Sequence, residues 1–384
     1  MRLKTRYLFG VLALLLGALI PSPAVAASTV TLVASGLDSP RGIAFYHGRM
    51  LVAEAGHGAD SCSGIPCVGT TSQISWVNRS TGASTPLVTG LFSVSLGAEG
   101  SLGASGLSVR GGKIFAAIGA TPQEVPPSVP GALAAEAGKL ISVEPDGTWQ
   151  SVASVGESDF NYTLQFTEPT PGVYSPGTQE HDANPTGVLA TGNGVYVADS
   201  GANTLDFVDR HGKISIVHYF GRRDPNPNNF PSDAVPTCIA RADDGLWVAD
   251  LSGHLFRVDG TKATEVVPRD GAGKPLLSHV TGCTTDGEGN LYLVNMFGPG
   301  IPFTSPSFFQ GNVVKFAPEE GRGSVLAGNL AFPNMAAVGP DGNLYVTAGS
   351  ICPAHVPANA PGPCAGGGKV LRINLSHEGD SNRD

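Results

Sequence analysis

A short motif returns six times along this chain, and that recurrence limits the fold more than any other feature of the sequence. The copies are "SPRGIAFYHGRMLVAEAG" from Ser39, "SGLSVRGGKIFAAIGA" from Ser105, "NPTGVLATGNGVYVADSG" from Asn184, "VPTCIARADDGLWVADLSG" from Val235, "VTGCTTDGEGNLYLVNMFG" from Val280 and "FPNMAAVGPDGNLYVTAGS" from Phe332. Each reads as an apolar strand, a tight turn carrying Gly, and an alternating strand. A third strand ("QISWVN", "TLDFVD", "HLFRVD") and a fourth ("TPLVTG", "ISIVHY", "TEVVP") usually follow. The sixth copy has no fourth strand before a polar tail at 377–384, whereas "STVTLVASG" at Ser28 to Gly36 precedes the first copy as a fourth strand would. The expected fold is all-β: a single domain over 27–376, a six-bladed β-propeller of four-stranded blades. The N-terminal strand completes the last blade and removes an open sheet edge.

Residues 1–26 read as a secretory signal peptide. Arg2, Lys4 and Arg6 precede an apolar run from Leu8 to Ile20, then "AVA" at Ala24 to Ala26. The run is shorter than a bilayer-spanning helix needs, so no integral membrane segment is expected after cleavage, and the protein is expected to be secreted or extracytoplasmic. Cleavage takes the basic residues from 23 to 20 against 32 acidic ones, moving the net charge from −9 to −12. That charge disfavours nucleic acid as a partner; a small molecule or a protein is expected, and a monomer.

Six cysteines in an oxidising compartment are expected to pair. Cys62 with Cys67 and Cys352 with Cys364 read as local loop staples. Cys238 and Cys283 read as equivalent sites on the inner strands of consecutive blades, at the positions where Gly42 and Gly187 stand. They are expected either to bond, if their Cα atoms lie within about 7 Å, or to stay as buried thiols; the bond is favoured.

The pattern P-x-G-[IV] followed by "LYV" or "VYVAD" resembles NHL repeats. The order "SGLDSPRGIAF", "LVAEAG", a cysteine-bearing loop, "ANPTGV", "VYVADSGANTL", "VPTCIA" and "PDGNLYVTA" through "GGKVLRI" resembles the ScyD/ScyE family over nearly the whole mature chain. The resemblance implies the propeller fold and no particular reaction.

In a propeller, the turns between strands one and two lie on one face with those between three and four, and the remaining connections lie on the other. Here the first class is uniformly tight ("YHG", "RGG", "ADDG", "DRHGK") and the second holds nearly every insertion. Ligand binding is therefore expected on the loop-rich face. Aromatic residues of two insertions, Phe160, Tyr162, Phe166 and Tyr174 with Phe297, Phe303, Phe308 and Phe309, either wall an apolar cleft there or tether the loops. Inner-strand entrances add a polar ring of Arg41, Ser105, Asn184, Thr237, His279 and Asn334. The candidate ligand-binding residues are thus Arg41, Asn184, His279, Asn334, Phe160, Phe303 and Phe308.

At the end of the second strand stand Glu54, Ala117, Asp199, Asp250, Asn295 and Ala348. A short polar residue recurring with the repeat is expected to bond its own loop's amides, as in Asx-turns. Glu54, His57 in the loop beside it, and His181, in "EHDANP", are the candidate proton-handling groups. Glu54, Glu180, Asp182, Asn184 and Asp199 are candidate ligands for calcium, which takes several oxygens. Calcium stands at this place in six-bladed lactonases of the gluconolactonase and paraoxonase type. Two functions follow as expectations: ligand binding on the loop-rich face, and a calcium-dependent lactonase or hydrolase.

Overall fold

The computed structural model describes residues 28–62, 64–167, 179–221, 233–298 and 310–375. The signal segment, the polar tail, Tyr174, Phe303, Phe308 and Phe309 lie outside the described residues. Six antiparallel sheets make the six blades of a β-propeller. The inner strands are Pro40–Tyr46, Ala104–Arg110, Pro185–Ala190, Pro236–Arg241, Val280–Thr285 and Ala336–Val338, and each is followed in space by its second, third and fourth strand. Blade one also carries a two-residue fifth strand, Ser101–Leu102, against Ser84–Ser95. Closure is as expected: Val30–Leu37 pairs antiparallel with Gly368–Ile373, from Val30 opposite Ile373 to Leu37 opposite Gly368.

Alternation within the strands explains how the blades stack. Val195, Val197 and Val208 of blade three pack on Leu140, Ala153 and Val155 at the end of blade two. Their strand neighbours Ala198 and Leu205 pack on Ile239 and Val248 of blade four. Each blade is thus apolar on both faces, and fully burying one such side chain contributes about 1.5–3 kcal/mol. Aromatic edges join further blades: Trp247 meets Phe316 and Phe45 meets Tyr345, with centroids 6.3 and 5.3 Å apart.

Near the axis the inner strands approach so closely that glycine is required. A Cβ on Gly106 would stand 2.3 Å from the Thr186 carbonyl oxygen, and one on Gly282 would stand 2.1 Å from that of Asn334. Cys238 occupies this same place in blade four, and it bonds Cys283 of blade five, with the Cα atoms 5.7 Å apart. The two cysteines are not at equivalent positions, however. Cys238 faces Ala249, whereas Gly282 takes that place in blade five and Cys283 follows it, opposite Leu293. Cys62–Cys67 and Cys352–Cys364 also pair. Among the described residues no helix is long and apolar enough to cross a membrane.

The face of tight turns is fixed by aspartates. The Asp209 carboxylate accepts the amides of His211 and Lys213, and Asp286 does the same for Glu288 and Asn290. On the opposite face, the connection from blade two to blade three contains a helix, Val155–Thr163, where the sequence suggested only loop.

Candidate functional site

The second strand of blade one, Arg49–Glu54, is buried from Met50 onward and sets Glu54 at the loop-bearing face. Both of its carboxylate oxygens are engaged. Oε2 accepts the Asp38 amide at 2.7 Å; Oε1 accepts Gln73 Nε2 at 2.8 Å and Ser75 Oγ at 2.5 Å. Burial pushes the Glu54 carboxyl above its ordinary pKa. Glu54 therefore braces the segment that enters blade one, with both carboxylate oxygens bonded within the fold.

That segment presents Asp38. The Gly56 amide bonds the Asp38 carbonyl, and Gly56, at φ 78°, turns the chain where a Cβ would strike Thr71. His57 follows, its Nδ1 2.5 Å from Asp38 Oδ2, and its backbone N–H donates to Thr71 Oγ1. The other Asp38 oxygen accepts the Ala354 amide from the loop stapled by Cys352–Cys364. With Nδ1 held by a carboxylate, the imidazole has one orientation, and Nε2 is the nitrogen left to meet a ligand. It stands 3.8 Å from exposed Asp60, and the His355 ring lies edge-on at 5.6 Å. Asp38, His57 and Asp60 line a surface cleft of about 380 Å³ with Thr70, Thr71 and Gln73. Its walls carry hydroxyls, carboxylates and an amide, and no large apolar side chain.

A second polar centre lies between blades two and three. Asp159 of the helix, with Asp199 and Asp206 of blade three, is fully buried. Thr204 Oγ1 bridges Asp206 Oδ2 at 2.9 Å and Asp159 Oδ2 at 3.2 Å. Asp159 Oδ1, Asp199 Oδ2 and Asp206 Oδ1 have no hydrogen-bond partner. Burial, then the neighbouring carboxyls, hold Asp159 and Asp199 well above the usual range, and burial brings Asp206 to about 7. Glu124 rises to about 9 through burial and the adjacent Asp182.

The remaining candidates take local roles. Asp199 Oδ1 accepts the amides of Asn184, Gly201 and Ala202, the loop-bonding role expected of a recurring residue. Asp250 accepts the His254 amide, and Asn295 that of Ser278. In blade two the equivalent residue is Ile118, opposite Ala104, and not Ala117. Asn184 Oδ1 accepts the Ala120 amide. By register, Asn184 and His279 stand upstream of Thr186 and Thr281, which are the true counterparts of Arg41, Ser105, Thr237 and Asn334. His279 is buried edge-on to Phe297, and Asn334 is buried with its carbonyl bonded by Thr281. Arg41 donates to the Ser101 carbonyl at 2.8 Å, and burial lowers its pKa to about 10. His181 bonds the Phe160 carbonyl and stacks on the Phe160 ring at 3.6 Å, so it is held by the helix and makes no pair with Asp182. Tyr162 and Phe166 pack on Tyr219 of the outer strand, which tethers the insertion to blade three.

Of the oxygens put forward for calcium, those of Glu54, Asp199 Oδ1 and Asn184 Oδ1 accept hydrogen bonds within the fold, and Asp182 and Glu180 lie near Glu124. Among the described residues no group of three or more His, Cys, Asp or Glu is arranged to hold a metal. Asp38, Glu124, Asp159 and Asp206 escaped the sequence reading. An acid inside the alternating strand "TLDFVD" was the visible signal for Asp206, whereas Asp38 carried none.

No protein-family description matches the chain, and no curated protein matches it in sequence. Solved structures are similar in fold. A structural genomics protein of unknown function from Bacteroides thetaiotaomicron matches with TM-score 0.55 at 10% identity, over 90% of this chain and 76% of that one. A luciferin-regenerating enzyme matches with TM-score 0.50 at 10% identity, over 91% and 94%. The calcium-binding protein regucalcin of Agrobacterium tumefaciens matches with TM-score 0.50 at 14% identity, over 91% and 94%.

Proposed function

We propose that this chain is an extracytoplasmic six-bladed propeller, of the ScyD/ScyE kind, that binds a small hydroxyl-rich molecule on its loop-bearing face. A signal peptide over 1–26, a single domain over 27–376 and a monomeric state belong to this reading; the three disulfides are compatible with it. The observation that carries it is the Asp38–His57 bond at the floor of a cleft whose walls are donors and acceptors. Such walls exchange hydrogen bonds with a polyol and lose free energy against an apolar guest, whose burial would leave them unpaired.

Isothermal titration with glucose, gluconate and sorbitol tests it. Saturable binding of at least one, weakened tenfold or more in His57→Ala, is expected. Absence of binding by all three, or equal binding by the variant, would overturn it.

A second reading, hydrolysis of an ester or lactone, is favoured by the same bond. A carboxylate on Nδ1 makes Nε2 a better base toward a water that attacks a carbonyl. His57 takes the water's proton and Asp38 stabilises the resulting imidazolium. No step is assigned to calcium. Turnover of δ-valerolactone that disappears in His57→Ala and falls in Asp38→Asn would support hydrolysis; equal turnover in His57→Ala would sink it.

A further inference from the structure

The axial cavity runs among the inner strands toward the face opposite the long loops. It measures about 330 Å³, and inner strands of all six blades line it. Each inner strand is the last in its sheet, so one edge of every blade faces the axis with backbone N–H and C=O groups outside the sheet ladders, some of them bonded by side chains of a neighbouring blade. The wall is therefore polar despite its aliphatic side chains. Arg241 is the single charged residue on it, and Ser108, Thr284 and Thr285 add hydroxyls.

Two arginines converge at the tight-turn end. Arg241 closes the inner strand of blade four and reaches sideways to the Ala190 carbonyl of blade three at 2.7 Å. From the other side, Ser108 Oγ accepts the Ala190 amide at 2.9 Å. Arg110 lies two residues beyond Ser108 on the same strand, hence on the same side of it, facing blade three. Both arginines are exposed at the rim, and neither is paired with a carboxylate among the described residues. The like charge of Arg110, after partial burial, depresses the Arg241 pKa. In a chain of net charge −9, Arg241 on the cavity wall and Arg110 near it set two guanidiniums on either side of blade three, a local concentration of positive charge.

We infer that the tight-turn end of the axial cavity binds a small hydrophilic anion, with a carboxylate or phosphate group bridging Arg241 and Arg110 and its remaining oxygens meeting the strand-edge amides and the hydroxyls of Thr284 and Thr285. Guanidinium forks suit such planar or tetrahedral oxyanions. The site is independent of the cleft over blade one.

The test is isothermal titration of the mature protein with inorganic phosphate and with citrate at low ionic strength. One equivalent of at least one anion is expected to bind, more weakly as sodium chloride is raised. The affinity should fall tenfold or more in Arg241→Gln and Arg110→Gln and stay unchanged in Arg79→Gln, an arginine near Asp341 of blade six. Should Arg241→Gln fail to fold, because Arg241 also bonds Ala190, Arg110→Gln carries the comparison. No saturable binding of either anion, or equal affinity in Arg110→Gln, would overturn the inference.

Discussion

The three buried aspartates between blades two and three show how one residue's protonation can set stability. Asp206 sits where blade one has Ser75: both face the second-strand residue two positions before its end. Ser75 donates to Glu54, but Asp206 brings a second acceptor beside Asp199, with only the Thr204 hydroxyl between it and Asp159. The folded-state pKa of Asp206 is raised to about 7 from an ordinary 3.8. The folded protein therefore binds more protons than the unfolded chain between those values, and its stability falls as pH rises from about 4 to about 7. Asp206→Asn keeps the shape and removes the charge. We expect its thermal midpoint at pH 8 to exceed the parent's by about 2–4 °C, with a flatter dependence below pH 7. A lower midpoint with the parent's pH slope would show Asp206 ionised and paired instead. His57 could be singled out in the sequence because it follows Glu54 closely, but its partner Asp38 could not. Asp38 comes 19 positions earlier, in a segment whose visible purpose is to enter blade one.

At the scale of strands, the repeat made nearly every element legible, because a period-two apolar pattern bounded by Gly turns recurs with the blade. The register was less legible. Between Pro185 and Gly187, Pro236 and Cys238, and Val280 and Gly282, the inner strand slips against its neighbour. Such a bulge adds a residue that no linear comparison of short repeats can locate. The residues misplaced in the comparison of short repeats were Ala117 for Ile118, Cys283 for Gly282, and Asn184 and His279 in the polar ring. The helix at Val155–Thr163 was missed because one turn-rich insertion looks like another, and with it went Asp159. The glycines at the slip make a test of the packing itself. A Cβ on Gly106 meets the backbone of blade three at 2.3 Å, whereas one on Gly287 meets nothing. Gly106→Ala should cost about 1–3 kcal/mol in urea unfolding, as overpacking does. Gly287→Ala should stay within about 0.5 kcal/mol of the parent, and equal costs would mean that the blade seams yield.

For the molecule as a whole, closure by Val30–Leu37 decides whether six blades behave as one body. This strand supplies Ala34 and Leu37 to a core shared with Met50, Val52 and Tyr345, so it binds blade six to blade one. It also leads directly into Asp38, which couples ring closure to the position of His57. A chain beginning at Asp38 would leave Gly368–Ile373 as an open edge and expose one face of Tyr345 and Val370. We expect such a chain to lose the single cooperative melting transition, to melt more than 10 °C lower, and to associate through the bare edge in size-exclusion chromatography. Adding a peptide of residues 28–37 should restore the monomer and part of the midpoint, because the peptide re-forms the same ladder. A truncated chain that stayed monomeric with an unchanged transition would mean that the inner strands and the Cys238–Cys283 bond hold the ring without the closing strand.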